Sequence, residues 1–112
     1  MVSKLYLHLK DNEVDVYFPG QKKGLCEKSY VVVKDSGQYA MANNKTGYST
    51  ISVIIFCPLD RYSQIGKYKK LIKDKIKEFK NVVPTGFESA TLIDDKVKAF
   101  TTYIEYRVLK KL

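Results

Sequence analysis

Residues 51–80 decide the fold. They read Ile51-Ser52-Val53-Ile54-Ile55-Phe56-Cys57, then Pro58-Leu59-Asp60-Arg61-Tyr62-Ser63, then a lysine-rich run to Lys80. In the first segment Ile51, Val53, Ile55 and Cys57 alternate with Ile54 and Phe56, and Ser52 is the only polar side chain. A strand that is apolar in both alternating sets reads as a central strand covered on both sides. Pro58 lacks the N–H that a ladder needs and ends it. Ser63 or Asp60 then offers a side-chain oxygen to cap a helix. From there Ile65, Tyr68, Leu71, Ile72, Ile76 and Phe79 recur at spacings of three and four, with Lys67, Lys69, Lys70, Lys73, Lys75, Lys77 and Lys80 among them. One apolar stripe on a lysine-covered cylinder is the pattern of a helix laid on a sheet. At about 1.5 Å per residue, residues 64–80 reach across several strands. Five or six large side chains buried at ~1.5–3 kcal/mol each make that stripe a main source of core stability.

Upstream, Leu5, Leu7 and Leu9 alternate with Tyr6 and His8 as in a strand, but the stretch lacks β-branching and Ser3 can cap, so Leu5, Tyr6 and Leu9 favour a short helix over residues 3–10. Val14, Val16 and Phe18 alternate with polar or aromatic neighbours before Pro19-Gly20, which predicts a short strand or extended edge piece. Tyr30-Val31-Val32-Val33-Lys34 is a β-branched strand. Between Asp35 and Ser49 the composition shifts to the turn formers Ser36-Gly37, Asn43-Asn44 and Thr46-Gly47. A long hairpin arm or loop of roughly fifteen residues therefore joins the two strands, a length that in a compact domain accompanies function or disorder.

Downstream, Pro84-Thr85-Gly86 signals a turn, and residues 88–93 pair with residues 98–109 across Asp94-Asp95-Lys96. In the last strand Phe100, Thr102, Ile104, Tyr106 and Val108 share one face, and Ala99, Thr101, Tyr103, Glu105 and Arg107 the other. Such half-buried alternation predicts a meander edge with one wet or partner-covered face. The elements sum to an α+β domain: a mostly antiparallel sheet of four to five strands with one long and one short helix packed on one side.

At 112 residues the chain forms a single domain over 1–112. No run approaches the ~20 apolar residues of a membrane span, and the first residues lack the apolar core of a signal peptide, so the chain is expected inside the cell and off the membrane. Cys26 and Cys57 match no metal or redox spacing and read as free thiols. The net charge of +8 comes from eighteen Lys and two Arg against twelve acids. Sequence-reading nucleic-acid binders lean on Arg for bidentate contacts, so this excess reads first as a solvated surface.

Catalytic signatures are missing. The sequence has no Gly-rich phosphate loop, no paired Cys/His ligands and no Gly-x-Ser-x-Gly elbow. His8, the only histidine, has no specific neighbour signal, and Asp94-Asp95 reads as a turn tip. The expectation is a non-enzyme without catalytic residues, cofactor or metal.

Several of these segments resemble one family of small tailed-bacteriophage and prophage proteins, in the tail-terminator and head-to-tail joining class. They are Tyr30-Val31-Val32-Val33-Lys34 with its polar loop, Val53-Ile54-Ile55-Phe56-Cys57-Pro58 before Tyr62-Ser63, the lysine-rich helix, and Pro84-Thr85-Gly86. The most telling is Asp94-Asp95-Lys96-Val97-Lys98-Ala99 leading into Tyr103-Ile104-Glu105-Tyr106. Together they cover about two thirds of the chain. The first element departs from the pattern, since such proteins often begin with a longer helix.

The resemblance implies a virion protein made in the bacterial host cytoplasm, a subunit of a hexameric ring that caps the tail tube and docks it to the head connector. Its partners would be copies of itself, the tail tube protein and the head-tail connector protein, with no specific nucleic-acid contact. A ring needs two different surfaces per subunit. Candidates are the arm from Gly37 to Tyr48 (Gln38, Tyr39, Met41, Asn43, Asn44, Lys45 and Tyr48) and the exposed face of the last strand (Thr101, Tyr103, Glu105 and Arg107). A small basic nucleic-acid-binding module is the alternative. Against it, the lysines of the long helix spread around its exposed sides instead of lining up with aromatics on one sheet face.

Overall fold

The computed structural model describes residues 2–22, 24–40 and 47–108, with the backbone alone for 36–40, 47–48 and 61. In chain order the elements are α1 (Val2–Asp11), β1 (Val16–Tyr17), β2 (Tyr30–Ala40), β3 (Gly47–Pro58), a 3-10 turn (Leu59–Arg61), α2 (Tyr62–Lys77), β4 (Val82–Glu88), β5 (Leu92–Asp94) and β6 (Ala99–Val108). The strands form one sheet in the order β1-β2-β3-β6-β4, with β5 also paired to β6. β1 runs parallel to β2 and every other pairing is antiparallel. This is the α+β architecture expected, a long and a short helix on a mostly antiparallel sheet, with six strands in place of four or five.

Both helices lie on one face. Leu5 and Leu9 of α1 and Ile72 and Ile76 of α2 share a core with Val31, Val33, Ile51, Val53, Ile55, Ile104, Tyr106 and Val108. The alternation written into β3 and β6 explains why: side chains two apart point the same way, so each strand contributes one apolar row to the helices. α1 is fastened to α2 by the His8 ring, whose Nε2 donates to the Lys75 carbonyl at 2.8 Å and which lies against Phe79. His8 is thus a half-buried structural residue.

Several expectations need correction. β3 is not covered equally on both sides: Ile51, Val53, Ile55 and Cys57 are buried under the helices, whereas Ser52, Ile54 and Phe56 are only half-buried. The segment after Lys34 is no loop at its base, because β2 continues to Ala40 and β3 begins at Gly47. Ser36-Gly37 appears there as a shift of register between Asp35 and Gly37. One extra residue is absorbed as a bulge, with pairing resumed beyond it.

Pro84-Thr85-Gly86 likewise sits inside β4, as an irregularity between Pro84 and Glu88, with Gly86 at φ +95°. The Thr85 hydroxyl donates to the Glu105 carbonyl there at 3.3 Å. β6 is no edge, since β3 flanks it on one side and β4 with β5 on the other. The helix begins at Tyr62 directly from the 3-10 turn, so Ser63 lies within its first turn and Asp60 within the preceding turn. Leu71 is about half exposed, because the buried line follows Ile65, Ile72 and Ile76 and Leu71 stands off its shoulder. Phe79 lies past the helix end and packs on the core from there.

Candidate interaction surface

The face of the sheet opposite the helices comes from the second alternating set. Across the middle of the sheet, register joins Val32 to Ile54 and Ile54 to Tyr103, while Phe56 faces Tyr30 and Thr101. At one end this face is closed by the stretch before β2. Cys26 packs with Tyr30 and Ala99, and its N–H donates to the Val97 carbonyl at 2.7 Å. Tyr30 stacks on Phe56 with ring centroids 4.7 Å apart, and the edge of Tyr17 meets Tyr30. Tyr30 is only 3 % exposed, and burial pushes its phenol up to about 12.

Away from that end no helix covers the face among the described residues. Val32, Ile54, Thr101 and Tyr103 are half-buried, and Glu105 and Arg107 follow along β6. Phe87 tilts against Tyr103 with centroids 5.5 Å apart and stays 49 % exposed, and Leu92, opposite Thr101, is 62 % exposed. This leaves an apolar strip with no described helix over it and with Glu105 and Arg107 beside it.

How β4 passes to β5 fixes this margin. Ser89 bridges the break: its N–H donates to the Tyr103 carbonyl, its hydroxyl accepts from the Tyr103 N–H, and its carbonyl accepts from the Thr102 hydroxyl. Thr102 is thereby satisfied although buried. On the helix side of the same margin, Glu88 receives Lys69 and Lys73 of α2, each at 2.8 Å. Hydrogen bonds from Lys69 first and Lys73 second hold the Glu88 carboxyl below its ordinary value. The remaining outward side chains of α2 are solvated, with Lys67, Lys70, Asp74 and Lys77 exposed.

The second feature is the β2–β3 hairpin. Its pairing runs from Tyr30↔Phe56 to Ala40↔Gly47, whereas β3 pairs with β6 only as far as Thr50↔Arg107. The hairpin thus continues past the third strand as a two-stranded ribbon. A 12-residue strand is about 40 Å long, and the molecule measures 48 × 27 × 24 Å. Its radius of gyration is 14.5 Å, against about 13 Å for a compact chain of this length.

Of the residues expected to make contacts, Thr101, Tyr103, Glu105 and Arg107 do share the uncovered face. Gln38 and Tyr39 of β2 pair with Ser49 and Tyr48 of β3 in the ribbon. Met41, Asn43, Asn44 and Lys45 lie outside the described residues. Sequence reasoning missed Val32, Ile54, Phe87 and Leu92. The first two carried no distinguishing signal, since a half-exposed apolar residue in a continuous apolar strand looks like a core residue. Phe87 and Leu92, large apolar residues beside Gly86 and Asp94-Asp95 at the expected sheet margin, could have been found.

One further cleft, open to solvent, is lined by Tyr6, Lys10, Asp15, Tyr17 and Gln21 beside β1. Its carboxylate is engaged by the Tyr17 hydroxyl and by Lys28, whose Nζ stands 3.6 Å away. The hydrogen bond to Asp15, with burial second, raises Tyr17 above its ordinary value. No group of three His, Cys, Asp or Glu able to hold a metal occurs among the described residues, and no described helix is long and apolar enough to cross a membrane. Cys26 and Cys57 are both buried and form no disulfide. The chain matches no family model and none of the curated proteins with which it was compared.

Proposed function

We propose that this protein is a structural subunit of a ring, hexameric as in the family its segments resemble, that terminates the tail tube of a phage or phage-like particle and joins it to the head connector. The observation that carries the reading is the β2–β3 ribbon, which runs beyond the third strand from a body whose helices occupy one sheet face only. An arm, a bare sheet face and two unlike sheet margins give each subunit the different surfaces that a closed ring built from heterologous contacts needs. The fold also agrees with what the resemblance implies, a sheet with helices on one side.

The alternative, a basic module binding single-stranded nucleic acid, is weaker on specific grounds. Stacking platforms need accessible rings beside cations. Here Tyr30 is buried between Phe56 and Tyr17, and the lysines of α2 lie on the opposite side of the sheet from these aromatics.

The test is negative-stain imaging after the protein is mixed with purified tail tubes. A ring at one end of the tube is the expected result, and deletion of residues 38–47 abolishes it while leaving the circular dichroism spectrum intact. Tubes that stay bare with the intact protein end the ring reading. Rings that persist without the arm remove the role given to it.

A further inference from the structure

The sheet has two open margins, and we infer that they are the two halves of one contact between copies of this chain. In that contact the outer edge of β2 from Val33 to Ala40 pairs with the outer edge of β4, Val82–Glu88, of the next copy. The inference rests on the ring reading above and names the surfaces by which its subunits join.

β1 is only two residues long and pairs with Val31 and Val32, so among the described residues no strand covers β2 from Val33 onward. At the far margin β4 has β6 on one side and no described strand on the other. These are eight and seven residues of edge with no described strand beside them, about 26 and 23 Å long; within β4, Pro84 has no N–H and the Phe87 N–H is taken by the Thr85 hydroxyl. Edges of that length are templates for another strand.

Register sets the two margins at one height. Val33 aligns with Val53, Val53 with Ile104 and Ile104 with Glu88, and one row further Asp35, Ile51, Tyr106 and Pro84 align. A neighbour brought alongside by rotation, without sliding along the strands, therefore sets β2 beside β4. Direction agrees as well. β2 and β6 run one way and β3 and β4 the other, so β2 of one copy meets β4 of the next antiparallel, as three of the four neighbouring pairs along the sheet already do.

The side chains suit the join on both faces. Lys34 shares the uncovered face with its partner Ser52, whose partner in turn is Glu105. That row reaches β4 in the irregular stretch between Pro84 and Glu88, so Lys34 comes beside residues 85–87 of the neighbour, Phe87 among them. A lysine stem laid on a half-exposed ring covers apolar area and gains a cation–π contact. On the helix face, exposed Asp35 falls in the row of exposed Pro84 of the neighbour. Pro84, the break before Glu88 and the bulge at Asp35/Gly37 keep the regular pairing short. Such interruptions stop an edge from recruiting strands indiscriminately.

Disulfide trapping tests this. Lys34→Cys, Phe87→Cys and the double variant are oxidised with and without tail tubes, and the same samples are imaged. The wild type controls for buried Cys26 and Cys57, and Asp35→Cys with Pro84→Cys is a second pair, in one row and at exposed positions. Neither single variant should cross-link beyond the wild type, a mixture of the two should give dimer alone, and the double variant should give a ladder ending at the ring size. Dimers from Lys34→Cys alone, which mean β2 against β2, overturn the inference, as do images full of rings without cross-links. Neither rings nor cross-links sink both it and the ring reading. A ladder with tubes left bare upholds the edge contact and sinks the ring reading.

Discussion

Ile54 and Ile55 are chemically identical neighbours on β3 that differ in which face they occupy, and truncating each to alanine separates the two faces quantitatively. Ile55 is 0 % exposed beneath the helices, whereas Ile54 lies half-buried on the bare face between Val32 and Tyr103. Ile→Ala removes three carbons, about 2.4 kcal/mol at ~0.8 kcal/mol each. In a closed core the cavity left behind raises the loss to roughly 3 kcal/mol or more. At ~2.1 cal/mol/K per residue, a chain of this size loses about 4 °C of Tm per kcal/mol, so Ile55→Ala should melt some 12 °C below the wild type. For Ile54→Ala about half of the transfer energy is at stake and no cavity forms, giving ~1 kcal/mol and about 4 °C. Urea unfolding followed by circular dichroism measures both, and the slope against urea should match the wild type. Equal losses would refute the reasoning, for they would mean that the second face of β3 is sealed in solution as well as the first.

Two further outcomes follow from the titrating groups. Glu88, held below its ordinary value of 4.5 by Lys69 and Lys73, contributes stability that is present above that value and lost as pH falls through the lowered one. Because the pair is partly exposed and screened, Glu88→Gln should cost no more than about 1 kcal/mol at neutral pH and flatten the acid limb of a stability–pH curve; an unchanged limb contradicts this. Tyr30 and Tyr106, both raised to about 12 by burial, contribute stability that is whole below pH 10 and lost as pH climbs through about 12. The loss is of order 2–3 kcal/mol for each. Phenolate absorbance should therefore rise in two stages, and Tyr106→Phe should shrink the later one; a single rise near pH 10 rules this out.

The sequence by itself determined what depends on periodicity. The stripe through Ile65, Ile72 and Ile76 specifies a helix with one apolar side, and the alternation from Phe100 to Val108 specifies a strand with one buried row, because both patterns arise from the geometry of consecutive residues. Tertiary structure decided what depends on distant neighbours. Ile54 and Ile55 look alike in the chain, and only the placing of both helices on one face buries the second and leaves the first half bare. Ser36-Gly37 and Pro84-Thr85-Gly86 carry local turn signals, yet pairing to β3 and β6 holds them within strands and reduces each to an irregularity. Strand partners are chosen by hydrogen bonds between residues far apart in sequence, and this long-range pairing outweighed turn preferences that act over only a few residues.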